Sequence, residues 1–340
     1  MAYYYHQLSK IEQKAYYAIK EGLKNLVPSF TVPLLDAKTL SDIYFLVRMD
    51  CPEIFWSVKF SYRYYKESDH AEMIPEYLFK KNQILEHQKA LDSRVKKLAR
   101  QAEKLSEKEK ELFIHDFICQ NVRYDKLKKA YSHEIIGPLG QGVGVCEGIA
   151  KSVKILCDAL GIWCIIALCN NNPEKGIKYR HMWNVVRIDG TYYHLDATFD
   201  NSLGKEDIIR YDYFNLSDSQ IFKDHEPVIY QIPSCTDGEH TYYREKKLSW
   251  TKYEDVRKRA AQAVKKGKVL IFHWRGGYLT KEVLKELFEI FHEEAGKKDK
   301  YAYLSLNWSQ AVLQVRFDTE VPQQEIKMEE ANEGEAIDPQ

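Results

Sequence analysis

The chain has 340 residues, 44% of them hydrophobic, and its 50 basic residues balance 50 acidic ones to a formal net charge of zero. That composition supports buried cores in about two or three domains of roughly 100–200 residues, and it argues against a nucleic-acid binder that relies on a global basic field. Seven cysteines, an odd number, do not make a disulfide scaffold, so free thiols in a reducing, cytoplasmic compartment are expected.

The N-terminus, "MAYYYHQLSKIEQKAYY", has no apolar signal core, and residues 3–26 read as a helix. "PEIFWSVKFSYRYY" reads as a strand, rich in aromatic residues. Residues 1–80 form an expected N-terminal α/β extension. A charged helical stretch follows, in which Ile84, Leu91, Leu98, Leu105 and Leu112 recur every seven residues. Gln88 and Glu109 interrupt the second seam, and Ser106 with Glu109 makes a capping-box signal. Two helices, about 81–104 and 107–121, are therefore preferred over a coiled coil. Residues 81–105 are a connector.

Next come a glycine-rich loop from Gly137 and a helix over about 146–160. "IWCIIALC" reads as a buried strand. It is the longest wholly apolar run and is far short of the ~20 residues a membrane helix needs, so no membrane partner is expected. "HMWNVVRI", "DG" and "TYYHLDATF" read as a hairpin. After about residue 245 the order is helix, strand, helix and two strands, an α/β accessory domain over 245–318. Residues 319–340, acidic and without aromatics, read as a disordered tail.

Cys146 stands where the glycine loop becomes a helix. The phosphate-cradle alternatives fail on spacing, since "GVGVCE" lacks the last glycine of the dinucleotide pattern and the Walker lysine is missing. At a helix start, unpaired N–H groups and the dipole favour an anion such as a thiolate. Cys157, Cys164 and Cys169 lie in apolar patterns and read as buried packing residues.

A nucleophilic thiol needs a base, and the base an orienter. If Asp189-Gly190 is a two-residue turn, Ile188 pairs with Thr191 and the register runs on to put Trp183 opposite Asp196 and His181 opposite Thr198. His181 and Asp196 then share a face as diagonal neighbours. His194 shares that face and is the rival base, with the strand-start position of His181 favouring the latter. Cys164, Cys169, His181 and His194 match no common zinc spacing, so neither a metal nor a cofactor is expected.

"GVCEGIAKSVKILCDALGI", "RHMWNVVRIDGTYYHLDATFD" and "YDYFNLSD" resemble three blocks of the transglutaminase-like superfamily of cysteine enzymes, over about residues 106–230. "MDCPEIFW" resembles the N-terminal extension of bacterial members. The resemblance implies an α+β, papain-like/transglutaminase-like core (106–244), with a helix carrying the cysteine packed on an antiparallel sheet carrying His and Asp. It implies Cys146 as nucleophile, His181 as base and Asp196 as orienter, and so decides against His194. It also implies acyl chemistry on the amides of a protein or peptide substrate, through a thioester. The oxyanion candidates are the Cys146 amide and the Gln141 side chain, and the cleft candidates are Tyr131, His133 and Trp183. The alternative is a catalytically silent binding module of the same fold.

Overall fold

The computed structural model describes residues 2–204 and 208–320. It divides into two compact units. The first comprises residues 1–170, 180–210 and 228–234, the second residues 171–179, 211–227 and 235–340. No helix among the described residues is long and apolar enough to cross a membrane.

The first unit opens with a 3-10 turn, Tyr4–Gln7, and then α1, Lys10–Lys24. The single helix expected over 3–26 is thus broken. Ser9 and Glu12 form a reciprocal capping box that starts a new helix, while the Asp50 carboxylate takes the amides of Tyr3 and Tyr4. β1 (Phe30–Pro33) and α2 (Ala37–Asp50) follow, the latter capped by Asp36. β2 (Ser57–Tyr64) and β3 (His70–Tyr77) complete a three-stranded antiparallel sheet of order β1-β3-β2. "PEIFW" is not part of the strand. Its residues turn, and Ile54, Phe55 and Trp56 are buried instead.

α3 (Lys81–Ala102) and α4 (Glu107–Asn121) are separate helices. Ile84, Leu91, Val95, Leu98 and Ala102 form one buried face of α3. Leu105, the next heptad position, falls in the turn and is exposed, because the Ser106–Glu109 capping box restarts the helix there. β4 (Arg123–Tyr124) pairs in parallel with β5 (Val143–Gly144). Between them the glycine stretch is not loose: Ile136–Gln141 winds into a π-helical turn.

α5 (Cys146–Leu160) buries ten of its 15 residues. It packs on the antiparallel sheet of β6 (Trp163–Cys169), β7 (His181–Ile188) and β8 (Thr191–Leu195). Asn184 of β7 stitches the two layers, donating to Ala150 O in α5 at 3.0 Å and to Ile165 O in β6 at 3.3 Å. The β7–β8 turn is the two-residue Asp189-Gly190 expected, both with positive φ (49° and 84°), and Ile188 faces Thr191. α6 (Ala197–Leu203) closes this part of the unit. The first unit is thus α+β, with a buried cysteine-bearing helix on an antiparallel sheet, as the resemblance implied.

The second unit holds β9 (Phe214–Leu216), α7 (Asp218–Ile221) and α8 (Tyr242–Glu245). β10 (Ser249–Trp250), α9 (Tyr253–Lys266), β11 (Leu270–Trp274), α10 (Lys281–Gly296), β12 (Tyr301–Asn307) and β13 (Val312–Asp318) follow. Its sheet runs β10-β11-β13-β12. Phe272, Leu287, Phe291, Leu313 and Val315 are fully buried in its core. Nearly all of the expected acidic tail, 321–340, lies outside the described residues.

Candidate active site

Cys146 is the first residue of α5, and its neighbour Val145 offers no side-chain cap to the first-turn amides. The close approach of the preceding loop explains Gly148. A Cβ there would lie 2.2 Å from Ser132 O, so only glycine lets the 130–134 segment pack against the first turn. The same segment holds the helix entry through the Val145 amide, which donates to Ser132 O at 3.1 Å.

His181 begins β7 and is partly exposed, and its imidazole lies close enough to the Cys146 thiol for the sulfur to raise its proton affinity. Its Nε2 donates to Asp196 Oδ2 at 2.6 Å. That bond leaves Nδ1 as the nitrogen for the thiol. Burial works against charge on His181, but the Asp196 carboxylate, and after it the Cys146 sulfur, outweigh burial and hold the imidazole well above its ordinary range.

Asp196 is not opposite Trp183, and Thr198 is not opposite His181, because pairing of β7 with β8 stops at Asn184–Leu195. Asp196 instead caps α6, its Oδ1 accepting the amides of Thr198 (2.8 Å) and Phe199 (3.1 Å). The "DAT" of the expected strand becomes a helix start because aspartate satisfies those orphan amides. From that cap position Asp196 still reaches His181 through Oδ2, and its carboxylate is completely buried.

Of the two histidines, His194 is fully buried, and its Nδ1 accepts the Trp183 indole N–H at 3.0 Å. Trp183 itself is buried and stacks on the His181 ring, 5.9 Å between centroids at 15°. It thus belongs both to the core and to the wall behind His181. Phe199 also tilts against that ring, at 4.7 Å between centroids.

His133 is half-exposed and joins Glu147, the residue after Cys146, at 3.1 Å. Tyr131 is half-buried on the same short 3-10 turn. Gln141 ends the π-helical turn, exposed to solvent. Of the ion network behind Glu147, only the i,i+4 spacing of Glu147 and Lys151 is visible in the sequence. The Glu147 carboxylate also binds Lys151 at 2.8 Å and Arg48 at 3.0 Å. Lys151 reaches both Glu134 oxygens at 2.9 Å, and Arg48 pairs with Glu134 as well. Burial would raise the Glu147 carboxyl, but Lys151 and Arg48 hold it well below the usual carboxylate range. The network clamps α2, the 130–134 segment and α5 together at the first turn of α5, which begins with Cys146.

No curated protein gives a significant match to the chain. Nine solved chains match in fold. A structure of a TGase is 12% identical, with a TM-score of 0.31, and the match covers 66% of each chain. A candidate protease from Parabacteroides distasonis is 15% identical (TM-score 0.25), covering 42% of this chain and 37% of that one. A candidate cysteine protease from Cytophaga hutchinsonii is 16% identical (TM-score 0.24), covering 42% and 62%. In each case less than two thirds of the matched chain's own length is covered. Residues 95–197 match the family model described as the transglutaminase-like superfamily. That segment contains Cys146, His181 and Asp196, and it is this part of the chain that is similar to the transglutaminase-like superfamily.

Proposed function

We propose that the protein is a cysteine-dependent enzyme acting on the amides of a protein or peptide, with Cys146 as nucleophile, His181 as base and Asp196 as orienter. The observation that carries this reading is the juxtaposition of the three groups: His181 Nε2 on Asp196 Oδ2 at 2.6 Å, with the Cys146 sulfur near enough to the imidazole to raise its proton affinity. Such an arrangement gives a nucleophile, a base within reach and a third group that sets the base's tautomer.

In this mechanism the thiol proton passes to Nδ1 of His181, and the sulfur attacks the amide carbonyl carbon. Asp196 holds Nε2–H and stabilises the imidazolium. The tetrahedral adduct collapses, the C–N bond breaks, and the leaving ammonia or amine takes its proton from His181. The resulting thioester is resolved by water, giving hydrolysis as in a peptidase or deamidase, or by an amine, giving transfer as in a transglutaminase.

The test is acylation by p-nitrophenyl acetate followed by mass spectrometry of the protein. An acetyl group on Cys146, lost in Cys146→Ala and slowed in His181→Ala, is the expected result. Acylation that survives Cys146→Ala unchanged overturns the reading. Incubating the protein with dimethylcasein and a fluorescent primary amine then separates transfer from hydrolysis, since only transfer labels the casein.

A further inference from the structure

Directly after α4 the chain runs beside the entry to α5. Tyr124 of β4 lies opposite Gly144 of β5, two residues before Cys146. The pairing is held on both sides, by the Arg123 amide on Gly142 O at 2.9 Å and the Asp125 amide on Gly144 O at 3.0 Å. Asp125 is itself anchored, accepting the Leu127 and Lys129 amides and the Ser132 hydroxyl. The backbone that carries Tyr124 is therefore fixed with respect to the nucleophile.

The Tyr124 ring is partly exposed, yet its hydroxyl is buried and has no hydrogen-bond partner. Other inward tyrosine hydroxyls of this unit are satisfied. Tyr16 donates to Asp50 at 3.0 Å, and Tyr44 meets Ser57 at 2.8 Å. A buried hydroxyl left without a partner is costly and calls for a reason. Its surroundings supply one. Burial first, and the charge of the Cys146 sulfur second, push its ionisation upward, so it stays a neutral O–H donor within electrostatic reach of the thiol.

We infer that the Tyr124 hydroxyl is a catalytic oxyanion donor, its missing partner being the oxygen of the tetrahedral adduct formed at Cys146. The inference rests on the function proposed above. As the C–S bond forms, the carbonyl π pair moves onto oxygen, and that oxygen accepts the Tyr124 O–H alongside the Cys146 amide. Collapse returns the pair to the carbonyl, breaks the C–N bond and frees the donor again. A fixed donor waiting for charge that exists only in the adduct costs no reorganisation when the reaction occurs.

Two reactions of the same sulfur separate this role from others. Acylation by p-nitrophenyl acetate passes through an oxyanion, whereas alkylation by iodoacetamide displaces iodide at a saturated carbon and does not. In Tyr124→Phe the p-nitrophenolate burst should slow at least about tenfold. The iodoacetamide rate and its pH profile should stay as in wild type, and the melting temperature should not fall, because only an unpartnered hydroxyl is removed. A burst rate equal to wild type overturns the inference. An equal slowing of both reactions also overturns it, since the hydroxyl then serves the thiolate or the fold. Failure of the underlying reading looks different: wild type itself then shows no burst that Cys146→Ala abolishes.

Discussion

The Asp196 carboxylate divides its two oxygens between two tasks, Oδ2 holding His181 Nε2 at 2.6 Å and Oδ1 capping α6 through the Thr198 and Phe199 amides. The helix thereby fixes the carboxylate, and the carboxylate fixes the imidazole.

Asp196→Asn should therefore fold and fail. The two amides demand an acceptor, so the asparagine oxygen takes the Oδ1 position and its NH2 faces His181. Nε2 must then accept, and Nδ1 carries its proton toward the thiol, which is the wrong tautomer. Acylation of Cys146 should fall about 10²–10⁴-fold, with the melting temperature little changed. Asp196→Ala should lose a similar amount of rate and also about 1 kcal/mol of cap stability. Denaturant unfolding of the two variants side by side checks the distinction.

The raised proton affinity of His181 predicts a pH profile. Its imidazolium persists above the ordinary histidine value of about 6.5, so the alkaline loss of acyl transfer, where the acid for the leaving amine disappears, lies above that pH. Removing the Asp196 charge moves that limb to lower pH. For stability the sign is the same. The imidazolium–carboxylate contribution is full below about pH 6.5 and is lost as pH rises through the higher folded value. NMR titration of the His181 ring protons checks both statements.

Iodoacetamide at near-neutral pH should label Cys146 before the other six thiols. Cys51, Cys157, Cys164, Cys169 and Cys235 are buried. Burial pushes Cys51 up to about 11 and raises Cys119, Cys157 and Cys235 as well, with the Cys164 contact the largest cause at Cys157. Cys146 is partly exposed and lies near the His181 imidazole, whose proton affinity is raised. Peptide mapping after brief labelling is the measurement, and labelling that spares Cys146 would count against the proposed nucleophile.

Gly148→Ala places a methyl 2.2 Å from a backbone oxygen that cannot rotate away. A cost of about 1–3 kcal/mol is expected from the forced displacement. Because Ser132 O also holds the Val145 amide, the variant should slow Cys146 alkylation as well as lower the melting temperature.

Lys151→Met leaves Glu134 and Glu147 short of a cation in a buried network. A loss of about 3–5 kcal/mol is expected at neutral pH. The Glu147 carboxyl is depressed in the folded protein, so its contribution is present above the ordinary carboxylate value and is lost as pH falls. The gap between variant and wild type should therefore narrow in acid, as read by urea unfolding at several pH values.

Local chemistry was legible where one residue type answers one local demand. The Ser106–Glu109 capping box separated α3 from α4, and the glycine-to-helix switch put Cys146 at the start of α5. The Asp189-Gly190 turn set the register of β7 on β8 as far as Asn184–Leu195.

What the sequence by itself determined about this protein is therefore the starts of α3, α4 and α5, the hairpin register and the candidate thiol, imidazole and carboxylate, because turns, caps and alternation act over a few residues. Only the tertiary structure decided that His194 is sealed against Trp183, that Asp196 leaves the strand to cap a helix, and that Arg48 reaches Glu134 and Glu147, 86 and 99 residues away. It also decided that the Tyr124 hydroxyl lies buried and without a partner, on a residue paired with Gly144 two positions before Cys146. The reason is that burial and long-range charge pairing depend on which surfaces meet, and no spacing along the chain carries that information.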